Sequence, residues 1–366
     1  MTLAFDGTAF QLETSRGGVS LYMQEILAGL ARKGFSLPVG IDRRLDPEVR
    51  AHCSAMGVQW ETTDLRGVLW RDKVGRRLAA SGYTALWYPT QFTAWLPPLP
   101  TVSTLHDFAG LRSPPRAGWR ARAYMNLSLR TMIRQSDRLI AVSESTAEDL
   151  RRYFPAAAHK MVVARHGMPS DVRQAAPGLL ESKPDRGGMP FRYLFLDGAN
   201  DRKRLDLSIG ALTRLGWGGR ELRITGNPEL VGLRIGSTPP AGITLLGRLS
   251  RSDLLKEIRD VDIVLYVSDF EGFGFPILES LPLETTVVIF PGDAELEVGG
   301  EHVVVARRRS ADSLAAAMLQ AEERCRDRSW REAIHAHSLQ FDWEESIAVH
   351  QRIFLELTDG MKGIKQ

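Results

Sequence analysis

The sequence contains very little cysteine and no long hydrophobic run. Its 366 residues include two cysteines, Cys53 and Cys325, and neither lies in a Cys-x-x-Cys pair or a cysteine/histidine cluster. The spacing therefore indicates neither a zinc site nor a disulfide framework. No apolar stretch approaches the roughly 18 residues that would indicate a membrane-spanning helix. The opening MTLAFDG lacks a basic region followed by an apolar core, so we expect no signal peptide.

The chain also lacks a strong charge of either sign. Its formal net charge is +3, and hydrophobic and charged residues make up 43% and 25% of it, as in a globular protein. A balance this mild gives no reason to expect nucleic-acid binding. We expect a cytoplasmic protein, with peripheral attachment to the inner face of the plasma membrane left open. The length favours two domains of ordinary size.

An alternation of strand and helix patterns runs along the chain twice. Short apolar runs such as LAFD and RLIAV are followed by helical patterns almost throughout, and ALWY and TVSTLHD are interpreted as further strands. The stretch from Met168 to Pro190 is rich in proline, glycine and charge, and we interpret it as an interdomain linker. The alternation then restarts with FRYLFLDG. The pattern predicts two α/β domains with parallel sheets, over residues 1–175 and 190–344.

The most informative stretch is SDFEGFGFPILES, residues 268–280, which directly follows the apolar run VDIVLYV. Glu271 and Glu279 stand eight positions apart, and glycines, aromatics and Pro276 lie between them. Ligands of open parallel sheets bind outside the carboxyl ends of the strands. A helix starting near Pro276 would offer free amides to a diphosphate, and carboxylates accept hydrogen bonds from sugar hydroxyls. The pattern therefore suits a nucleotide sugar.

The segment EGFGFPILE resembles the E-x7-E signature of the retaining GT-B-fold glycosyltransferases of family 4 (group 1). The resemblance extends over nearly the whole chain, through the first helix region, TLHDF, RLIAVSESTAEDL, DRKR and the closing FDWEESI. These segments resemble bacterial members that add mannose or rhamnose to O-antigens and exopolysaccharides. The resemblance implies two Rossmann-like domains that face a central cleft, the first on the acceptor side and the second binding the nucleotide sugar. It also implies that a last helix, about residues 345–366, packs back on the first domain.

The resemblance further implies a retaining hexosyltransferase that requires no metal and no other cofactor. Its expected partners are a nucleotide-sugar donor such as GDP-mannose and a saccharide or lipid-linked oligosaccharide acceptor, in the synthesis of lipopolysaccharide O-antigen or another surface polysaccharide. A sugar-nucleotide epimerase and a non-catalytic nucleotide-sugar-binding protein of the same architecture stay open as alternatives. The donor also stays open, because the sequence departs from the family pattern in three places. His166-Gly167 stands where the family usually has Asn-Gly, Arg204 where it has the third residue of Arg-Lys-Asn, and Glu284–Thr286 where it has a glycine and a proline.

Individual residues acquire roles from the resemblance. Glu271 would bond hydroxyls of the donor sugar, and Glu279 would bond the ribose. Arg202 and Lys203 would neutralise the departing diphosphate, and His106 would lie over the transferred sugar. Backbone groups would complete the donor site, at Gly17, Gly18, Leu246, Gly247, Phe273, Gly274 and Phe275.

Acidic residues are absent between Asp107 and Asp137, where six arginines occur. If residues 116–135 are helical, a step of about 100° per residue gathers four basic side chains on one face. These are Arg116, Arg120, Arg130 and Arg134, with Leu127 among them; Ala121, Met125, Leu129 and Met132 gather on the opposite side, which suits the core. Such a basic face fits an anionic membrane surface. A solvated face and a site for an acidic acceptor stay open.

Overall fold

The computed structural model describes residues 3–11, 17–112, 119–184, 190–236 and 241–359. The chain divides into two compact units, Met1–Gly167 with Asp342–Gln366, and Met168–Phe341. The strands are β1 (Leu3–Asp6), β2 (Val39–Asp42), β3 (Trp60–Thr62), β4 (Ala85–Tyr88), β5 (Thr101–Leu105), β6 (Arg138–Ala141), β7 (Met161–Val163), β8 (Phe191–Phe195), β9 (Arg220–Thr225), β10 (Ile243–Gly247), β11 (Ile263–Tyr266), β12 (Thr286–Ile289) and β13 (Val304–Val305).

The helices alternate with these strands in both units. They are α1 (Gly18–Arg32), α2 (Pro47–Ala55), α3 (Trp70–Ala80), α4 (Ala109–Arg112), α5 (Trp119–Gln135), α6 (Glu144–Tyr153), α7 (Ser170–Glu181), α8 (Leu205–Leu215), α9 (Pro228–Ile235), α10 (Arg251–Asp260), α11 (Phe275–Ser280), α12 (Asp293–Gly299), α13 (Ala311–Arg324), α14 (Arg328–Ser338) and α15 (Glu344–Asp359). Within the described ranges, no helix is long and apolar enough to cross a membrane.

Each unit is built on one parallel sheet, which confirms the predicted fold class. The first sheet has the order β3-β2-β1-β4-β5-β6-β7 and the second has the order β10-β9-β8-β11-β12-β13. Every pairing between these strands is parallel. The central strands β4, β5, β11 and β12 are buried along their whole length. Burial on both faces explains why β4 and β11 are continuous apolar runs in the sequence.

The first helix follows its sequence pattern closely. The three- and four-residue spacing of its apolar side chains predicts one buried face. Five of the six predicted side chains are buried, namely Tyr22, Met23, Ile26, Leu27 and Leu30, whereas Val19 is only partly buried. The helix ends just before Gly34, which adopts a φ of 66° that favours glycine. Similarly, the Ser143 side chain caps α6 by accepting the N–H of Thr146 at 3.0 Å. These local signals were sufficient to place both helices from the sequence.

The last helix packs within the first unit, around Trp87 of β4. The ring centroids of Trp87 and Phe354 lie 5.2 Å apart, and the Tyr22 hydroxyl lies 2.6 Å from Nε2 of His350. Gly29 of α1 lets α15 approach closely, because a Cβ atom there would lie 2.1 Å from Ile347. Residues from both ends of the chain therefore form one core.

The linker predicted between the domains is wrong, because most of it forms α7 of the second unit. Val172 and Ala176 are one turn apart and are both buried, so a short helical period exists there. Pro177 lies inside this helix, whereas a proline in the sequence usually indicates a loop or the end of a helix. The unit boundary falls at Gly167 rather than at residue 175, and the chain returns to the first unit at Asp342.

Helix α5 confirms only part of the predicted basic face. The side chains of Arg120, Arg130 and Arg134 are exposed, whereas Arg116 and the side chain of Ala121 lie outside the described residues. Leu129 and Met132 join a buried cluster with Phe108 and Leu139, as predicted. The core position predicted for Met125 is wrong, because Met125 is 38% exposed. Met125 lies one turn before Leu129 and is not part of that buried cluster.

Candidate active site

Two loops meet at the carboxyl ends of the neighbouring strands β8 and β11. The first ends in a 3₁₀ turn, Asp201–Lys203, whose Asn200 cap accepts the N–H of Arg202 at 3.2 Å. The second is the acidic, glycine-rich loop that follows β11. The Arg202 carbonyl accepts the N–H of Asp269 at 2.9 Å, and the Arg202 guanidinium donates to the carbonyl of Phe270. The fold thus brings together two segments that are almost 70 residues apart.

A buried ion-pair cluster forms where these loops touch. Lys203 Nζ lies 2.7 Å from Oε1 of Glu271, and Arg202 Nη1 lies 3.0 Å from Oε2. The Glu271 side chain is only 10% exposed. Lys203 Nζ also lies 4.4 Å from the centre of the Tyr266 ring, a cation–π contact. Three of the predicted catalytic residues are therefore in direct contact in this unit.

Electrostatics in this cluster keep Glu271 ionised. Burial opposes ionisation, but Lys203 and Arg202 outweigh it and hold the pKa of Glu271 below its ordinary value. Burial and the adjacent Glu271 carboxylate raise the pKa of Tyr266 well above its ordinary value, so the phenol keeps its proton. The cluster is thus one carboxylate held by two cations beside a neutral tyrosine. Tyr266 was not predicted, because its sequence context is that of an ordinary buried strand.

Arg204 occupies a strained position between the two loops. Its φ of 53° lies in the left-handed region, which asparagine tolerates better than arginine does. Its guanidinium bonds Asp206 at 2.9 Å and Asp269 at 3.1 Å. At this departure from the family's Arg-Lys-Asn, ion pairs therefore hold the backbone turn of this chain.

Glu279 is held by a residue that the sequence did not reveal. It lies in α11, where it is 6% exposed, and Arg251 Nη1 donates to its Oε1 at 2.5 Å. The same guanidinium donates from Nε to Asp171 Oδ2 at 2.6 Å. Burial works against the charge of Arg251, but Glu279 and Asp171 raise its pKa above the ordinary value. A lone arginine at the start of α10 carries no motif, so only the fold places it here.

The backbone contacts predicted in the second unit lie in two separate places, around the start of α11 and at the end of β10. Gly274 precedes α11 with a φ of 138°, and the rings of Phe273 and Phe275 meet edge to face at 5.3 Å. Helix α11 has six residues and continues into a 3₁₀ turn, Leu281–Leu283, so it is shorter than the sequence suggested. Leu246 and Gly247 end β10 at the edge of the sheet, and the chain from there leads to Arg251.

In the first unit, His106 lies beside the first turns of α1. Its Nε2 is 2.7 Å from the carbonyl of Pro89, so this nitrogen carries a proton and donates it to the carbonyl. Burial lowers the pKa of His106, only partly offset by that carbonyl and by Asp107, so the ring is neutral near pH 7. The Tyr22 ring stands edge-on to it at 5.3 Å. Gly17 and Gly18, at the start of the same helix, are exposed.

A histidine cluster surrounds Tyr22. The His166 ring lies 4.8 Å from the Tyr22 ring and 6.2 Å from the His106 ring. Burial, together with the nearby His106 and His350, lowers the pKa of His166 well below its ordinary value. The residue that departs from the family's Asn-Gly therefore packs against His106 as a neutral aromatic ring.

Within the described ranges, no group of three or more histidine, cysteine, aspartate or glutamate side chains could hold a metal ion. Metal independence stays a prediction.

Comparison with known proteins defines the class of this chain. Residues 16–172 match the model "Glycosyltransferase Family 4", and residues 192–323 match "Glycosyl transferases group 1". The first match lies mainly in the first unit, and the second match lies in the second unit. The chain is therefore a glycosyltransferase of this family 4 and group 1 type, with a GT-B fold.

Relatives and solved structures agree with that assignment. The O-antigen chain mannosyltransferase B of Escherichia coli is 26% identical over 268 residues, which are 66% of this chain and 67% of the relative. Sucrose-phosphate synthase from Thermosynechococcus elongatus has a TM-score of 0.73 at 16% identity, covering 98% of this chain and 100% of that one. Anabaena HepE in complex with UDP-glucose has a TM-score of 0.69 at 17% identity, covering 97% and 99%. At these identities the two structures show the fold alone.

Proposed function

We propose that the chain is a retaining, metal-independent hexosyltransferase. It would move mannose or a deoxyhexose from a nucleoside diphosphate sugar to a saccharide or lipid-linked saccharide, in cell-surface polysaccharide synthesis. The observation that carries this proposal is the buried cluster of Glu271, Lys203 and Arg202 at the ends of β8 and β11. The likeness to an O-antigen mannosyltransferase supports the choice of sugar and product.

The cluster suits the departure of a diphosphate. Breaking a glycosyl–phosphate bond places positive charge on the sugar ring and negative charge on the leaving group. Lys203 and Arg202 are pre-positioned cations for that negative charge, and they are only partly exposed, at 12% and 29%. The ionised Glu271 between them would accept hydrogen bonds from the sugar. A same-face displacement within an ion pair would preserve the anomeric configuration.

Glu279 would bind the other end of the donor. Its carboxylate is held by Arg251, so its free lone pairs are oriented before a ligand arrives. A carboxylate with a fixed orientation suits the paired hydroxyls of a ribose. His106 would contact the transferred sugar through a neutral ring whose Nδ1 accepts a hydrogen bond.

A panel of nucleotide sugars, with and without a lipid-linked saccharide acceptor, tests this function. We expect release of nucleoside diphosphate only when acceptor is present, and fastest with GDP-mannose or a deoxyhexose donor. Release of nucleotide and a 2-epimerised sugar without acceptor would instead indicate an epimerase. Binding without turnover under every condition would indicate a non-catalytic nucleotide-sugar-binding protein.

Helix α5 provides a surface for the membrane that would carry such an acceptor. Exposed arginines at 120, 130 and 134 lie on one face with Leu127, which is 52% exposed, and Tyr124, which is 44% exposed. Basic and apolar side chains together favour the interface of an anionic bilayer, where each cation contributes about 1 kcal/mol.

We predict that the protein sediments with liposomes containing phosphatidylglycerol and that salt weakens the binding, since the attraction is electrostatic. Replacing Arg120, Arg130 and Arg134 by Ser should remove most of it. As a matched control, three exposed arginines elsewhere, Arg50, Arg77 and Arg328, are replaced in the same way. Equal partitioning to neutral and anionic liposomes, or none, would contradict the prediction.

A further inference from the structure

A buried carboxyl group outside the E-x7-E pair lies next to the donor cluster. Glu295 is in the first turn of α12, shortly after β12, and its residue is 2% exposed. Strand β12 pairs in parallel with β11. Both loops therefore leave the same edge of the sheet, and Glu295 is close enough to Glu271 for the two carboxylates to affect each other electrostatically.

The carboxyl group of Glu295 is incompletely satisfied. In the part of the chain that the structure describes, its buried Oε1 has no hydrogen-bond partner. A buried polar atom without a partner costs roughly 1–3 kcal/mol. Gly292 leaves the space that the carboxyl occupies, because a Cβ atom there would lie 2.3 Å from Oε2. A ligand oxygen beside Oε1 would supply the missing partner.

The surrounding charges favour the protonated form of this group. Burial first, and then the nearby Glu271, raise the pKa of Glu295 to about 7, although Lys203, Arg309 and its own backbone N–H act in the opposite direction. The Tyr266 phenol beside the two carboxylates is neutral. Near neutral pH the Glu295 carboxyl therefore holds a proton part of the time and is then able to donate it in a hydrogen bond.

We propose that Glu295 is a donor-binding residue, whose protonated carboxyl donates a hydrogen bond from Oε1 to an oxygen of the bound nucleoside diphosphate. The inference rests on the proposed function, which places the diphosphate at Lys203 and Arg202. The diphosphate adds negative charge near both carboxylates and takes part of Lys203 away from Glu271. Both changes favour protonation, and Glu295 ionises less readily than Glu271. Nucleotide binding is therefore coupled to proton uptake.

Isothermal titration calorimetry with GDP and UDP tests this coupling. Titrations in buffers of different ionisation heat, between pH 6 and pH 8.5, give the number of protons taken up per nucleotide bound. For the wild-type protein we expect an uptake of up to one proton, and an affinity that falls by up to about tenfold per pH unit above pH 7. The terminal phosphate of the nucleotide also titrates, so the quantity compared is the difference between the wild-type protein and each variant.

Two substitutions at the site and one in the same helix make the result specific. Glu295→Gln keeps an N–H donor but has no titrating proton. It should therefore abolish the proton uptake due to Glu295 and flatten the pH dependence of nucleotide affinity. Gly292→Ala should displace the carboxyl and weaken binding about tenfold at pH 6. Glu297→Gln removes a charge from the same helix and should leave proton uptake at the wild-type value.

The outcomes separate this inference from the proposed function. Nucleotide binding with equal proton uptake in the wild-type protein and Glu295→Gln would overturn the role of Glu295 and leave the donor site in place. Failure of the wild-type protein to bind either nucleotide would overturn the proposed function, and this inference with it.

Discussion

Replacing both Arg202 and Lys203 by Ala should lower turnover by roughly 10²–10⁴-fold. Each cation would make a charge-assisted hydrogen bond to the departing diphosphate, worth about 1.5–3 kcal/mol, and about 1.4 kcal/mol corresponds to a factor of ten in rate. The measurement is nucleoside diphosphate release under saturating donor. Arg214→Ala is the matched control, because that arginine pairs with Asp312 on an exposed surface, and its turnover should stay at the wild-type level.

The same double substitution should also destabilise the second unit. Charged side chains in exposed loops usually add little stability. Arg202 and Lys203 differ, because both hold the buried Glu271. Removing them leaves a buried carboxylate uncompensated, which costs about 3–5 kcal/mol. Adding Glu271→Gln to the double variant should recover most of the stability and none of the activity.

The double variant could lose activity because the diphosphate contacts are gone or because the second unit is destabilised. The pH dependence of stability distinguishes these two causes. In the wild-type protein the pKa of Glu271 is lowered, so its ion pairs stabilise the fold above the ordinary glutamate pKa and that contribution is lost in acid. Without the two cations, we expect burial to outweigh the hydrogen bond from Ser268 and to raise the pKa of Glu271. The double variant should then lose stability as pH rises from 5 to 8. A double variant with wild-type stability at every pH, or with near-normal turnover, would show that something else holds the leaving group.

How much of the fold and of the candidate site could be predicted from the sequence depends on how far apart the interacting residues lie along the chain. The strands of both sheets, the first helix and the Ser143 cap follow from signals within a few residues of each other. The E-x7-E spacing likewise placed Glu271 and Glu279 in one loop and helix. Lys203 and Arg202 were predicted as diphosphate ligands, but their ion pairs with Glu271 depend on the pairing of β8 with β11.

Residues without a motif could not be predicted at all. Arg251, Asp171 and Glu295 are ordinary charged helix residues in the sequence, and such residues are usually exposed. Only the packing of α7, α10, α11 and α12 in the second unit links the partly exposed Arg251 and Asp171 to Glu279 and buries Glu295 near Glu271. The error over the linker has the same origin, because α7 is stabilised by what it packs against and not by its own composition.

Replacing Glu279 by Ala should weaken nucleoside diphosphate binding by tenfold or more. If its carboxylate bonds the ribose hydroxyls, the loss appears in the dissociation constant of the nucleotide itself, whereas Glu271→Ala should mainly lower turnover. Calorimetry with GDP or UDP gives the first quantity, and steady-state rates give the second. Unchanged nucleotide affinity in Glu279→Ala would contradict the assignment of Glu279 to the ribose.

Arg251 should matter almost as much, although we do not expect it to touch the nucleotide. Arg251→Ala leaves the buried Glu279 carboxylate without the cation that orients it, so nucleotide affinity should again fall about tenfold. Arg251→Lys should recover only part of the nucleotide affinity. One ammonium group cannot reproduce the guanidinium, which donates to Glu279 and Asp171 at the same time. Asp171→Asn is the milder control, since it leaves the contact between Arg251 and Glu279 in place.

A double-mutant cycle decides whether Arg251 acts through Glu279. If it does, Arg251→Ala should have little further effect on nucleotide affinity once Glu279 is already Ala, and the two single losses should not add. The contact between them is direct, with Nη1 of Arg251 2.5 Å from Oε1 of Glu279, so the coupling should approach the whole effect of Arg251→Ala. Additive losses would instead mean that Arg251 binds the nucleotide independently of Glu279.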